Sequence, residues 1–145
     1  MSVPEIRRAD PSEAKEIELL LTESGLPSAG VRDHLAHFFV AHDGPVLQGT
    51  VGLEPYGPVG LLRSLAVRSS ARSRGLGGRL TEQVLREARS LGVRRLILLT
   101  TTAERYFSAR GFRVTDRGQI TGDVRSSAEF TGACPESAVC MELTL

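Results

Sequence analysis

Cysteine is scarce in this chain: Cys134 and Cys140 are the only two. Two thiols cannot build a disulfide framework, so a reducing cytoplasm is the expected compartment. They lack C-x-x-C spacing, and His34, His37 and His42 lie in a distant segment, which argues against zinc; no metal is expected. An excess of charge of one sign is missing too. Eighteen Lys and Arg stand against 17 Asp and Glu, a formal +1, which points to neither a nucleic-acid surface nor a binder of anionic membranes. No apolar run approaches the ~18 residues of a membrane span. The first sixteen residues are charged and hold no apolar core of an export signal. With no repeat, low-complexity tract or linker, residues 1–145 are expected to form one domain, within the usual ~100–200 residues.

What the chain does contain is an apolar strand running into a glycine-rich basic segment. Leu61-Leu62-Arg63-Ser64-Leu65-Ala66-Val67 is followed by Arg72-Ser73-Arg74-Gly75-Leu76-Gly77-Gly78. Glycines there let backbone N–H groups approach an anion, and a helix starting at this point adds the positive end of its dipole. Arg72 and Arg74 supply countercharge. A Walker loop is excluded, because Gly78 is followed by Arg79 and Leu80 rather than by Lys and Ser or Thr. A dinucleotide fingerprint is excluded as well: Leu80 occupies its third glycine, and an apolar run, Ile97 to Leu99, lies where an acidic residue is needed. An anion cradle remains, the alternative being a basic loop softened by glycine.

Periodicity and punctuation predict the elements around it. A strand over 3–8 precedes Asp10-Pro11-Ser12-Glu13, which has the N-cap, N1 proline and N3 glutamate of a helix. Ala14, Ile17, Leu20 and Leu21 form that helix's apolar face, and Gly25 ends it. A short second helix is expected over 29–37. Strands follow over 38–42, 48–54 and 60–67, the first pair joined at Asp43-Gly44. Leu76, Leu80, Val84, Ala88 and Leu91 mark a helix closed by Gly92. A buried strand over 95–101, a short helix over 103–110, a strand over 112–116, a helical turn or two near 121–130 and a last strand over 137–143 complete the pattern.

The Arg-x-x-Gly-x-Gly sequence after a strand ending Leu-Ala-Val resembles the pyrophosphate-binding motif of the GCN5-related N-acetyltransferases, and the order of elements is similar to that fold from end to end. The resemblance implies an α/β (α+β) architecture, with helices on both faces of a mixed sheet of six to seven strands. Its two central strands part where acetyl-CoA binds. It implies a cofactor site of Leu65, Ala66, Val67, Arg72, Ser73, Arg74, Gly75, Leu76, Gly77, Gly78, Thr102, Phe107 and Arg110. Leu98-Leu99-Thr100-Thr101-Thr102-Ala103 with Tyr106-Phe107 and Ala109-Arg110-Gly111-Phe112 is similar to the acetyltransferase domain of N-acetylglutamate synthases. Those segments together with Gly52-Leu53-Glu54 and Cys134-Pro135 resemble a small acetyltransferase family associated with arsenic-resistance operons. An N-acetyltransferase acting on a small amine, a carboxylate-bearing amino acid or analogue, is the implied function, with a role in arsenical or toxin resistance. A protein or peptide acetyltransferase, a non-catalytic acetyl-CoA sensor and a thiol-based arsenic(III) binder are the alternatives. A homodimer paired through an exposed last strand is a further expectation.

Amine acetylation needs a proton acceptor, an oxyanion donor and help for a departing thiolate. Glu54, at the end of Thr50-Val51-Gly52-Leu53, is the candidate base if burial raises its pKa, unless it is a solvated turn residue; an oriented water is the other route. A backbone N–H near Leu65 or Val67 suits the oxyanion. Many family members place a tyrosine four residues before the Gly-Phe pair to protonate the thiolate. Here that position is Phe107, and Tyr106 sits about 100° away around the helix. Ser64, Tyr106 or water are left for the task. Arg63 interrupts an apolar strand, shares a face with Leu61 and Leu65 by alternation, and either grips the acceptor's carboxylate or pairs internally with Glu54. Arg125, near Ser126, Ser127 and Phe130, is a second candidate contact to the acceptor. No nucleophile with a recognisable histidine partner appears, so direct transfer in a ternary complex is expected rather than an acyl-enzyme.

Overall fold

The capping box at Asp10 fixes where the first helix begins. The Asp10 side chain accepts from the Ser12 N–H at 2.9 Å, and Glu13 reaches back to the Asp10 N–H at 2.7 Å. The computed structural model describes residues 4–72 and 74–145. After β1 (Glu5–Arg8), a 3-10 turn at Pro11–Glu13 leads into α1 (Ala14–Glu23). The expected second helix shrinks to a kinked 3-10 segment, Arg32–His37. Strands β2 (Phe38–Asp43), β3 (Val46–Tyr56) and β4 (Val59–Val67) form a meander. Then come α2 (Leu76–Ser90), β5 (Arg95–Thr100), α3 (Glu104–Ser108), the two-residue β6 (Arg113–Val114) and β7 (Val139–Thr144). The 113–139 connection is mostly short helical turns, including Asp123–Ser126 and Glu129–Ala133. Among the described residues no helix is long and apolar enough to cross a membrane.

One seven-stranded mixed sheet results, in the order β1-β2-β3-β4-β5-β7-β6. Among the described residues its only parallel pair is β4 with β5, joined through α2. The last strand is not an edge: β7 lies between β5 and β6, so the pairing expected of an exposed last strand has no free strand to use there. The β6 segment is shorter than predicted because Phe112 turns inward, 5.4 Å from Phe107, and joins the core under α2. That core gathers Leu80, Val84 and Ala88 of α2 against Leu53, Leu62 and Leu96 of the sheet. On the opposite face Ile17, Leu20 and Leu21 of α1 cover Phe38 and Val40, while Ile120 and Val124 of the long connection cover Leu61 and Ile97.

A bulge in β4 decides what happens in the middle of the sheet. Thr50 pairs with Ala66 but Gly52 pairs with Arg63, so β4 carries one extra residue. Ser64 absorbs it at φ +60°, the only positive φ of a non-glycine among the described residues. A left-handed residue with a Cβ costs roughly 1–2 kcal/mol. The bulge also resets the alternation. Leu61 packs under the long connection, whereas Leu65 packs with the α2 core, so Arg63 and Leu65 do not share a face as simple alternation predicts.

Candidate active site

Beyond the bulge β4 and β5 separate. Their pairing ends at Leu61 with Ile97, leaving the β5-facing backbone edge of the rest of β4 without a strand partner. A cleft of about 390 Å³ fills the gap. Ser64 and Leu65, Ala66 and Val67 form one wall, and Leu98 to Thr102 with Phe107 form the other. Glu129, Cys134 and Pro135 close one end, with Pro27 beside them.

The start of α2 adjoins the cleft at Val67, but Gly75, Leu76, Gly77 and Gly78 do not line it; Gly75 and Gly78 border a neighbouring groove with Arg110. Gly75 is its N-cap with φ +75°, a conformation that glycine adopts without cost, and no side chain caps the helix. The first helical bond runs from the Arg79 N–H to the Gly75 carbonyl at 3.1 Å, so the amides of Leu76, Gly77 and Gly78 have no partner within the helix. Arg72 lines the cleft and donates to the Val67 carbonyl at 3.1 Å, while Arg74 is exposed. Arg110 lies so close to Gly78 that a Cβ there would sit 2.2 Å from its guanidinium. The helix dipole and the unbonded amides give this end of α2 a positive character, with Arg110 beside Gly78. Ser73 lies outside the described residues. Thr102 and Phe107 line the cleft, whereas Arg110 stands outside it, stacked 5.1 Å over the Tyr106 ring.

Tyr106 is turned away from the cleft. Its hydroxyl lies 3.3 Å from Thr81 Oγ1, against Gly77 of α2, and only its neighbour Phe107 faces the gap. One position of rotation along α3 separates the two rings. Ser64, by contrast, is placed in the cleft by the bulge, and its Oγ accepts from Arg63 Nε at 2.9 Å.

Beneath the closed end lies a buried charged cluster. The Arg63 side chain is 0% exposed and that of Glu54 1%; their Nη1 and Oε2 are 2.7 Å apart. Arg63 Nη2 donates to the Pro27 carbonyl at 3.3 Å, and Nε faces Glu129 Oε2 at 3.5 Å. Every guanidinium nitrogen therefore meets the protein itself. An acceptor carboxylate would have to displace Glu54 or Glu129, so Arg63 is a brace in this state rather than an open grip. Glu54 is neither a solvated turn residue nor raised in pKa. Burial pushes it up, but hydrogen bonds from Tyr56 (2.5 Å), Arg63 and Ser127, with His34 at 3.5 Å, outweigh it and hold the carboxyl below its ordinary value. Tyr56, half-buried and bonded to that carboxylate, is correspondingly harder to ionise.

Glu129 is the residue that sequence reasoning missed. It is the only acid between Val124 and Pro135, beside the Phe130 and Cys134 that were singled out, and this was its one signal. Its side chain is 4% exposed, yet it lines the cleft. Burial raises it to about 7 against the opposing pull of Arg63 and of the Cys134 thiol. Cys134 is pushed up to about 12 by burial and by Glu129, and Cys140, within the core, to about 11 by burial. Both thiols are free, and among the described residues no three His, Cys, Asp or Glu gather as a metal site. Arg125 does not reach the cleft. It donates to the carbonyls of Arg117 and Ile120 at 2.9 and 2.8 Å and packs on the Phe130 ring, bracing the long connection.

Known proteins similar in sequence or fold were found. A model of the acetyltransferase (GNAT) family matches residues 2–112. The amino-acid acetyltransferase of Neisseria meningitidis serogroup A is 30% identical over 105 residues, 70% of this chain and 24% of that protein. The amino-acid acetyltransferase of Ralstonia nicotianae is 37% identical over 83 residues, 56% of this chain and 18% of that one. The chain thus spans about a quarter or less of the curated relatives it matches. Among solved structures, N-acetylglutamate synthase from Neisseria gonorrhoeae, complexed with coenzyme A and N-acetyl-glutamate, superposes with a TM-score of 0.83 at 24% identity. That match covers 100% of this chain and 36% of the other. Rv2747 from Mycobacterium tuberculosis, in a complex containing CoA, gives 0.81 at 22% identity, covering 98% and 99%. Both share the fold.

Proposed function

The chain belongs to the acetyltransferase (GNAT) family, and on that premise we propose that residues 1–145 form one catalytic domain that moves an acetyl group from acetyl-CoA to the amino group of a small acceptor of amino-acid type. The observation that carries the reading is the parting of β4 from β5 directly beside the uncapped start of α2. Residues of this chain fit the cosubstrate: the amides of Leu76, Gly77 and Gly78, with Arg72 and Arg110, suit a pyrophosphate, and the unpaired β4 edge suits an extended amide-bearing arm. When bound, acetyl-CoA supplies the activated acyl group. The acceptor class rests on the similarity to amino-acid acetyltransferases and on a small cleft closed by a charged cluster.

In this reading a β4 amide near Leu65 or Val67 donates to the developing oxyanion. Ser64 uses its lone pair to accept from Arg63, so its O–H is free to donate into the cleft. A free thiol titrates near ~8.5, so the thiolate leaves readily and that hydroxyl or a water need only hydrogen-bond it. The test is thiol release from acetyl-CoA across glutamate, other amino acids, their decarboxylated and arsenical or phosphinic analogues, polyamines and peptides. Turnover concentrated on small amino acids is expected. Turnover on peptides alone would move the acceptor class to protein tails. Silence with every amine, with acetyl-CoA still bound, would leave a sensor.

A further inference from the structure

We propose that Glu129, not Glu54, receives the proton that the acceptor's ammonium must lose before it can attack. The inference rests on the acetyl-transfer reading above and names the base for it. Among the described residues, the cleft lining holds four titratable side chains: Arg63, Arg72, Glu129 and Cys134. Two are guanidiniums, which offer donors and no acceptor. The Cys134 thiol, raised to about 12, is a donor at neutral pH. Glu129 is the one group of the wall that can take up a proton there.

Its surroundings suit that task better than those of Glu54. The Glu54 carboxylate is held at 2.5 Å by Tyr56 and at 2.7 Å by Arg63, lies outside the cleft lining and is less basic than an ordinary carboxylate. Arg63 approaches Glu129 only to 3.5 Å, with a nitrogen that already donates to Ser64, and the other partner is a thiol, a weak donor. Glu129 is thus a buried carboxyl with an incomplete counterion, facing the cavity where an ammonium would be the complement. The charged and titratable groups around it are Arg63 from β4, Glu54 from β3 and Cys134 from its own connection, with Tyr56 and His34 behind Glu54. A carboxyl near 7 is matched to proton transfer at neutral pH.

The step balances within the proposed reaction. One N–H bond of the ammonium breaks and its proton moves to a Glu129 oxygen, leaving the lone pair on nitrogen. The C–N bond then forms as the C–S bond breaks, and the remaining proton lost from nitrogen ends on the departing sulfur. Glu129 returns its proton to water when product leaves.

The experiment pairs a carboxyl titration of the ligand-free protein by infrared difference spectroscopy with steady-state kinetics. Wild type is expected to show a carboxyl band titrating near pH 7, absent from Glu129→Gln, and a kcat/KM that rises with pH through the same point. Glu129→Gln is expected to lose at least about 100-fold in kcat, to lose that rise and to keep its affinity for acetyl-CoA; Glu129→Asp recovers part of both. Glu54→Gln, which removes a negative charge that helps raise Glu129, keeps the rise but moves it to lower pH. A folded Glu129→Gln with unchanged kcat and pH profile overturns the inference while leaving acetyl transfer intact, whereas absence of turnover in wild type overturns the reading beneath it. If Glu129→Gln does not fold, the wild-type titration decides: no carboxyl titrating between pH 6 and 8 (about one unit either side of 7) overturns the proposal.

Discussion

Arg63 and Glu54 form a fully buried ion pair, 2.7 Å apart, with the Glu129 carboxyl on the far side of the same guanidinium. A pair sealed from water gains little over an apolar filling, but its halves cannot be separated cheaply. Gly30 completes the seal at φ +82°, where a Cβ would lie 3.1 Å from Arg63 Nη1. Arg63→Met alone is expected to cost about 3–5 kcal/mol in denaturant unfolding, because two carboxylates then share an uncompensated interior. Combining it with Glu54→Leu should recover part of that loss. A single variant within about 1 kcal/mol of wild type would show that the cluster is wetter than this geometry.

On the opposite edge, Glu13 is bonded by Arg7 at 2.8 Å, by the Asp10 N–H and by His42, which brings its carboxyl down from 4.5 to about 2. A depressed carboxyl stabilises the fold above its unfolded pKa and stops doing so as pH falls through the folded one. Stability is therefore expected to drop between about pH 5 and pH 2 by up to about 2 kcal/mol, allowing for the half-exposed Arg7. Urea midpoints across that range should fall less steeply in Glu13→Gln, which lacks this contribution at every pH.

At the start of α2 a side chain on Gly77 meets only Tyr106 Oη at 3.4 Å and Val67 at 3.8 Å, so the fold accommodates one. Gly77→Glu puts a negative charge against the free amides. Calorimetric affinity for CoA is expected to fall at least tenfold, about 1.4 kcal/mol, with the melting temperature within a few degrees of wild type. Undiminished affinity would remove the anion cradle from the site.

Ser64 carries the backbone strain of the bulge at φ +60°. Ser64→Val adds a β-branch to a left-handed residue and is expected to lose about 2 kcal/mol or more. Ser64→Gly relieves the strain and, after its own entropic cost of about 0.5–1 kcal/mol, should lie close to wild type. Equal losses in the two variants would place the cost in the lost hydroxyl rather than in the backbone.

Both thiols are buried and protonated at neutral pH, Cys134 raised to about 12 and Cys140 to about 11. Neither is expected to react with a thiol reagent until urea unfolds the chain, nor to retain trivalent arsenic in the native state. Rapid native labelling or tight arsenite binding by the folded protein would revive the thiol-based reading.

Much of the architecture was legible because it is written in short-range signals. The Asp10–Glu13 capping box, the glycines that close α1 and α2, and the motif from Leu65 to Gly78 each constrain dihedrals or faces over a few residues, and the structure reproduces them. Of the expected site residues that line the cleft, Leu65, Ala66, Val67 and Arg72 come from that motif, and Thr102 and Phe107 from the segment after β5. Three features were not legible. The insertion of β7 between β5 and β6 depends on pairing between distant strands. The bulge at Ser64, which separates Arg63 from Leu65 and points Ser64 into the gap, arises from a one-residue mismatch between β3 and β4 that no periodicity records. That Tyr106 is spent on Thr81 of α2, leaving it no access to the cleft, was fixed by the packing of α3 rather than by any local signal.

Sequence by itself determined the family and the order of most helices and strands, with a glycine at the start of α2, since these follow from local backbone preference and the spacing of apolar residues. Only the tertiary structure decided the electrostatics of the acceptor end. Whether a carboxylate is sealed, as Glu54 is, or raised and facing a cavity, as Glu129 is, depends on burial and on which distant cation lies at 2.7 or 3.5 Å. Those quantities exist only once β3, β4 and the long connection have met.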